Sequence, residues 1–332
     1  MTQAFNWTLI QKTCPEFNLN CWDVIFAFVA FIGSVINFVL MFYFKKVSKT
    51  AVYIPNLCGY DYFICCLYIW KYLLPVIAMY FQCDALAELR INFSWTAETF
   101  DDYLEIILGI LIFCIIFEKF LWTFSSRVRH TWRCFIVGNC KFWLLMGLTV
   151  YAVLAAFTHN WNLLQLSDVP FCDVTLLPIP IKQPFFRFIQ LYLIPLISDL
   201  LIGLIFILTI ITLIRIPRIG KGDKPVEQKE EEVNLENQEE NKSGVDNNAK
   251  IKRTIICMAI ICFIFLVRAS IWHMLIKPNS IHISSRGRSS KIMKNWIFDC
   301  CTMVISATRI LVYYVVCRMN FVAEYPASGV LK

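Results

Sequence analysis

Histidine and charge are both scarce in this chain. Its 332 residues include four histidines, none in HxxxH or HExxH spacing, which excludes the two-histidine helical frame of a zinc hydrolase. No Gly-rich phosphate loop, nucleophile elbow or convergent Cys/His/Asp set is present, so the sequence offers no catalytic residue, metal centre or resident cofactor. Charged residues make up 17% and apolar residues 58%, far from the balance of a soluble enzyme or a nucleic-acid-binding domain. No basic stretch with a short apolar core and cleavage site precedes Asp23, so the first apolar run is expected to act as an uncleaved signal anchor.

What the chain has instead is long apolar runs. A helix needs about 20 apolar residues to cross a bilayer core of roughly 30 Å. Seven runs approach or exceed that length: 23–44, 52–80, 103–124, 142–157, 186–214, 254–275 and 297–316. None alternates every second residue, as membrane barrel strands do. The expected fold class is an all-α membrane protein, a seven-transmembrane helix bundle over 23–316, with an extracellular N-terminus (1–22) and a short cytoplasmic tail (317–332). The segment 220–250 is polar and Glu/Asn-rich, the composition of a disordered cytoplasmic loop.

Orientation follows from the connections. Lys45, Lys46, Lys49, Arg127, Arg129, Arg133 and Lys141 fall in the first two inner loops with no acid among them, as the positive-inside rule expects. The connection after the second run is acidic, with Asp84, Glu88, Glu98, Asp101 and Asp102 against Arg90. Acceptor sequons at Asn6 and Asn92 fall outside in this topology, and a third at Asn241 falls inside. The basic segment from Lys277 to Lys294 runs against the rule. Four cysteines are expected outside: Cys14, Cys21, Cys83 and Cys172. They allow three connectivities, among which Cys83–Cys172 would tie the first and second outer loops and leave Cys14–Cys21 local.

Several residues, in order along the chain, resemble the rhodopsin-like family of G-protein-coupled receptors. They are Gly33 and Asn37 in GSVIN, Leu57-Cys58-Gly59-Tyr60-Asp61, Glu118-Lys119-Phe120, Trp143, Pro195, and Tyr314 followed by Phe321. Lys119 stands where the family has arginine, Ile310-Leu311 replaces Asn-Pro, and the sixth run has no Trp-x-Pro. This erosion is similar to that of divergent invertebrate chemoreceptors and neuropeptide-receptor-like orphans. The resemblance implies a multi-pass plasma-membrane receptor for an extracellular ligand. It also implies that a heterotrimeric G protein is engaged at Glu118, Lys119, Arg127 and the loop shoulders at Arg215 and Arg253. A ligand-gated channel or transporter is the competing class.

Ionisable groups inside a span cost at least ~2.5 kcal/mol each near its centre, so each needs a partner or a task. Asp61, Asp199, Arg268 and Arg309 qualify, with Asn37 and Tyr314 as polar neighbours. Helical rise places Arg309 about one turn nearer the inner face than Asp61, within reach of an arginine side chain. An Asp61–Arg309 pair is therefore expected where the resemblance implies a sodium site, with Asp199 as the competing partner. Asp299 is expected in the first turn of the seventh span, open to outer water. At the outer end of the third run, Asp101 and Glu105 share a helix face, as do Glu98 and Asp102. By resemblance Asp101 falls where amine-binding members place their ammonium-binding aspartate. Asp101, Asp102, Glu105 and Arg268 are thus the candidate ligand residues. Their countercharge is either a cationic ligand, an amine or peptide, or an internal cation from Arg268 or the basic segment 277–294.

Overall fold

The computed structural model describes residues 7–8, 21–47, 52–124, 126–132, 135, 138–160, 163–165, 176–178, 194–215, 256, 259–268, 270 and 288–317. These are helical apart from turns and one short antiparallel ladder. In order they form α1 (Cys21–Val47), α2 (Tyr53–Tyr68), a π-helical turn (Ile69–Leu73), α3 (Leu74–Tyr80), α4 (Asp84–Leu121), α5 (Ser126–Thr131), α6 (Gly138–Asn160), β1 (Leu163–Gln165), β2 (Leu176–Pro178), α7 (Ile194–Arg215), α8 (Ala259–Arg268) and α9 (Arg288–Cys317). Leu164 pairs with Leu177 in the ladder. Three helical stretches, Cys21–Lys46, Tyr53–Tyr80 and Cys140–Thr158, are long and apolar enough to cross a membrane.

The second helix owes its break to Pro75, which has no N–H to return to the Lys71 carbonyl. The backbone widens, and the Leu74 N–H reaches back five residues to the Ile69 carbonyl. Such a π turn shifts the facing of the residues within it. Lys71 and Tyr72 are two of them.

Helix α4 is the hub. From Leu104 to Ile116 its Leu, Ile, Gly and Cys residues are buried nearly all round, the pattern of a helix packed on every side. It contacts α2, α3, α6 and α7, and Gly109 lies beside Leu201 of α7 and Phe265 of α8. Helices α1, α2 and α9 pack against one another on the α2 side. By contrast, α1 and α6 turn large apolar side chains outward: Phe28 is 64% exposed and Leu154 61%. Apolar ridges of that extent suit hydrocarbon rather than water.

Three sequence expectations change here. The acidic connection from Asp84 to Asp102 is not a loop. It is the first half of α4, entered through the short turn Phe81–Cys83. At 38 residues, α4 is roughly 57 Å long, nearly twice the ~30 Å hydrocarbon layer. Nothing stops it, because no Gly or Pro occurs between Asp84 and Leu108. Helix α9 likewise starts nine residues before the apolar run, at Arg288, so Asp299 lies three turns inside it rather than in its first turn. Lys141 sits within α6, not in a connection.

Gly33 sets the approach of α1 to α9. A Cβ built there would stand 2.5 Å from Ala307 Cβ and 3.1 Å from Cys65 Sγ. Gly33→Val is expected to lower the melting temperature through overpacking of about 1–3 kcal/mol. Adding Ala307→Gly should recover part of the loss in a thermal-shift assay. An unchanged melting temperature in the single variant would contradict the packing.

Candidate functional site

Charged and polar side chains gather at three levels of the bundle. The deepest pairing joins Asp61 of α2 to Arg309 of α9. Both are fully buried, and Arg309 Nη1 lies 3.5 Å from Asp61 Oδ1. That is an ion pair without a direct hydrogen bond. Next to it Asn37 Nδ2 of α1 donates to the Ser306 carbonyl at 3.0 Å, and Ser306 lies three residues before Arg309, on the same face of α9. The expected Asp61–Arg309 pair is therefore formed. Asp199, weighed as a rival, is exposed on α7. Tyr314 lies farther along α9 and meets the rings of Tyr43 and Phe44 edge-on.

The second level lies toward the α3–α4 turn. Arg268, the last residue of α8, is 6% exposed. Its guanidinium binds the Glu105 carboxylate of α4, donates from Nε to Thr302 Oγ1 of α9 at 2.9 Å, and lies 5.1 Å over the Phe298 ring. One arginine thus ties α8 to both α4 and α9. Lys71, brought round by the π turn, pairs with Asp101 and, at 3.4 Å, with Glu98 of α4. Its neighbour Tyr72 donates its hydroxyl to Asp299 of α9. Lys71, Tyr72, Asp101, Asp299 and Thr302 line a cavity between α2, α4 and α9, with Ile64, Leu67 and Met303 as its apolar wall.

Of the two countercharges left open by the sequence, the internal one is present. Arg268, one of the internal cations the sequence leaves open, meets Glu105, and Asp101 is met by Lys71, a lysine inside an apolar run. Pro75, four residues after Lys71, was the available signal. The basic segment before Arg288 lies outside the described residues. Asp102 is half-buried beside the cluster.

At the opposite end, Glu118 of α4 accepts a hydrogen bond from Lys141 Nζ of α6 at 2.8 Å. The two side chains are 7% and 1% exposed, and the ammonium also lies 5.4 Å from the centre of the Tyr53 ring. Glu118 is thus spent on a buried pair, whereas Lys119 remains half-exposed. Arg215 stacks on Phe124 with its guanidinium carbon 3.8 Å from the ring centre. The Arg127 side chain and Arg253 lie outside the described residues.

Trp143 is 72% exposed on α6, on an outward face rather than in the core. Asn92 lies on α4, and Ser94 of its sequon is buried with its hydroxyl on the Ile91 carbonyl. Cys83 ends the turn into α4, and Cys172 and Asn6 lie outside the described residues. The Trp7 indole donates to Asp84 Oδ1 at 2.8 Å, which places Trp7 at the α3–α4 end. No protein-family model matches the chain, and no curated protein matches it.

Proposed function

We propose that this chain is a divergent rhodopsin-like receptor of the plasma membrane. Seven helices, α1, α2 with α3, α4, α6, α7, α8 and α9, cross the bilayer with the N-terminus outside. The reading holds that an extracellular cationic ligand is sensed at the α3–α4 end and a heterotrimeric G protein is engaged at the Lys119 end. Lys119, Arg215 and the 220–250 shoulders then present the positive face. The observation that carries the reading is the central place of α4. It packs against α2, α6 and α7 and is tied to α8 through Arg268–Glu105, with a polar cavity near one end and a half-exposed cation at the other.

A promiscuous G-protein reporter in cells, challenged with amines and cationic peptides, tests this proposal. At least one ligand should raise the signal, and Lys119→Ala should reduce it several-fold with surface expression unchanged. Silence across the panel in a surface-expressed protein contradicts the receptor reading.

A channel or transporter is the second reading, favoured by four charge pairs spread through the bundle: Lys71–Asp101, Arg268–Glu105, Arg309–Asp61 and Lys141–Glu118. Each cation already meets a carboxylate, an arrangement that suits locks between helices better than a path for ions. Ion flux through proteoliposomes holding the purified chain would overturn that preference.

A further inference from the structure

The deepest charges of the bundle are also the least satisfied. Arg309 and Asp61 are fully buried, yet Nε, Nη1 and Nη2 of the arginine and both carboxylate oxygens make no hydrogen bond to protein among the described residues. Two neighbours share the deficit. Asn37 commits its amide N–H to the Ser306 carbonyl, which leaves Asn37 Oδ1 without a donor, and Ser306 Oγ, beside Asp61, makes no hydrogen bond of good geometry either. The four residues come from α1, α2 and α9, and all are 0% exposed, so bulk water does not reach them.

Buried polar atoms without protein partners are met by internal water or by an ion. Charge selects between the two. Asp61 and Arg309 cancel one another, so a sodium or chloride ion would leave a net charge in a node closed to solvent. Hydrogen bonding selects in the same direction. The node presents donors on the guanidinium and acceptors on Asp61 and Asn37, and water answers both, whereas a cation answers only the oxygens and an anion only the N–H groups. Turning the Ser306 hydroxyl onto Asp61 and closing the 3.5 Å gap from Nη1 to Oδ1 would still leave Nε, Nη2 and the Asn37 oxygen to be met.

We infer that Asn37, Asp61, Ser306 and Arg309 form a binding site for about two internal waters, and that the Asp61–Arg309 contact is a water-bridged ion pair. One water does not suffice, because it accepts at most two N–H bonds and the guanidinium directs its five along different edges. The waters tie α1 to the charges of α2 and α9, which Asn37 alone does only through a carbonyl. The inference goes beyond the receptor reading and does not depend on it.

Hydroxyl-radical footprinting of the full chain in lipid nanodiscs, with radicals generated by an X-ray pulse, tests the site, because a bound water yields its radical where it sits. Cys65, one helical turn after Asp61, and Cys262 of α8 both lie beside Arg309 and are at most 1% exposed. Met146, on the outward face of α6, is the reference for a sulfur side chain in lipid. Cys65 and Cys262 should be oxidised at least tenfold faster than Met146 and should take up label from heavy-oxygen water. Asp61→Leu/Arg309→Met, which replaces both charges with apolar groups, should slow both cysteines at least tenfold. The melting temperature of the wild type should be equal in sodium chloride and in choline chloride at matched concentration. If the double variant does not assemble, the comparison with Met146 and the salt comparison decide. Cysteines as slow as Met146 would mean a dry pair, oxidation unchanged in the double variant would place the water elsewhere, and a melting temperature raised by sodium would put a cation in the node; each overturns the proposal.

Discussion

Arg309→Met is expected to collapse surface expression and lower the melting temperature, and Asp61→Asn added to it is expected to restore much of both. The single change leaves Asp61 charged and fully enclosed, with neither carboxylate oxygen hydrogen-bonded to protein. Removing one side of a buried pair costs about 3–5 kcal/mol, because the surviving charge keeps its desolvation penalty and loses its compensation. Native stabilities are commonly only 5–15 kcal/mol, so the loss is large enough to divert most of the chain from the surface. The double variant replaces both charges with uncharged groups of similar size, a change that is often close to neutral. The recovery is therefore the informative quantity, and flow cytometry of an N-terminally tagged chain measures it. No recovery in the double variant would mean that each charge finds its partner elsewhere.

The second large effect lies at the Glu118–Lys141 pair. Lys141→Met should destabilise the protein by a similar amount, about 3–5 kcal/mol, since Glu118 would be left 5% exposed and its charge-assisted hydrogen bond lost. Glu118→Gln alone strands the Lys141 ammonium in the same way. The pair Glu118→Gln/Lys141→Met should lie closer to the wild type than either single variant, a coupling read from a double-mutant cycle of melting temperatures. Additive losses would mean that the two groups act independently. Under the receptor reading this cycle has a second consequence. Glu118 is occupied across the α4–α6 boundary, so Glu118→Gln should lower stability, whereas Lys119→Ala should lower the reporter signal.

Much of this architecture can be read in the residues, and the parts that cannot have identifiable causes. Apolar run length locates most of the helices, because an exposed backbone in hydrocarbon must close its own hydrogen bonds. It does not locate helix ends beyond the membrane, where composition turns polar but the helix continues. The acidic first half of α4 and the polar first turns of α9 are such continuations. The Asp61–Arg309 pairing was predictable because two buried opposite charges at similar depth have few alternatives. Lys71 was not, because an isolated lysine inside an apolar run looks like one that snorkels to the interface. The π turn at Pro75 instead aims it at Asp101 and its neighbour Tyr72 at Asp299. Lys141 precedes the apolar run by one residue, the position of a loop charge. Burial of its ammonium against Glu118 and Tyr53 depends on the packing of α6 against α4, which no local pattern records.

On the proposed topology an odd number of membrane crossings separates the N-terminus from the polar segment 220–250. That topology puts the sequons Asn6-Trp7-Thr8 and Asn241-Lys242-Ser243 on opposite sides of the membrane. Endoglycosidase-sensitive mass should be measured for the chain expressed in animal cells and for Asn6→Gln, Asn92→Gln and Asn241→Gln. Asn6→Gln is expected to remove a glycan and Asn241→Gln to remove none. A glycan on Asn241, with or without one on Asn6, would contradict that topology.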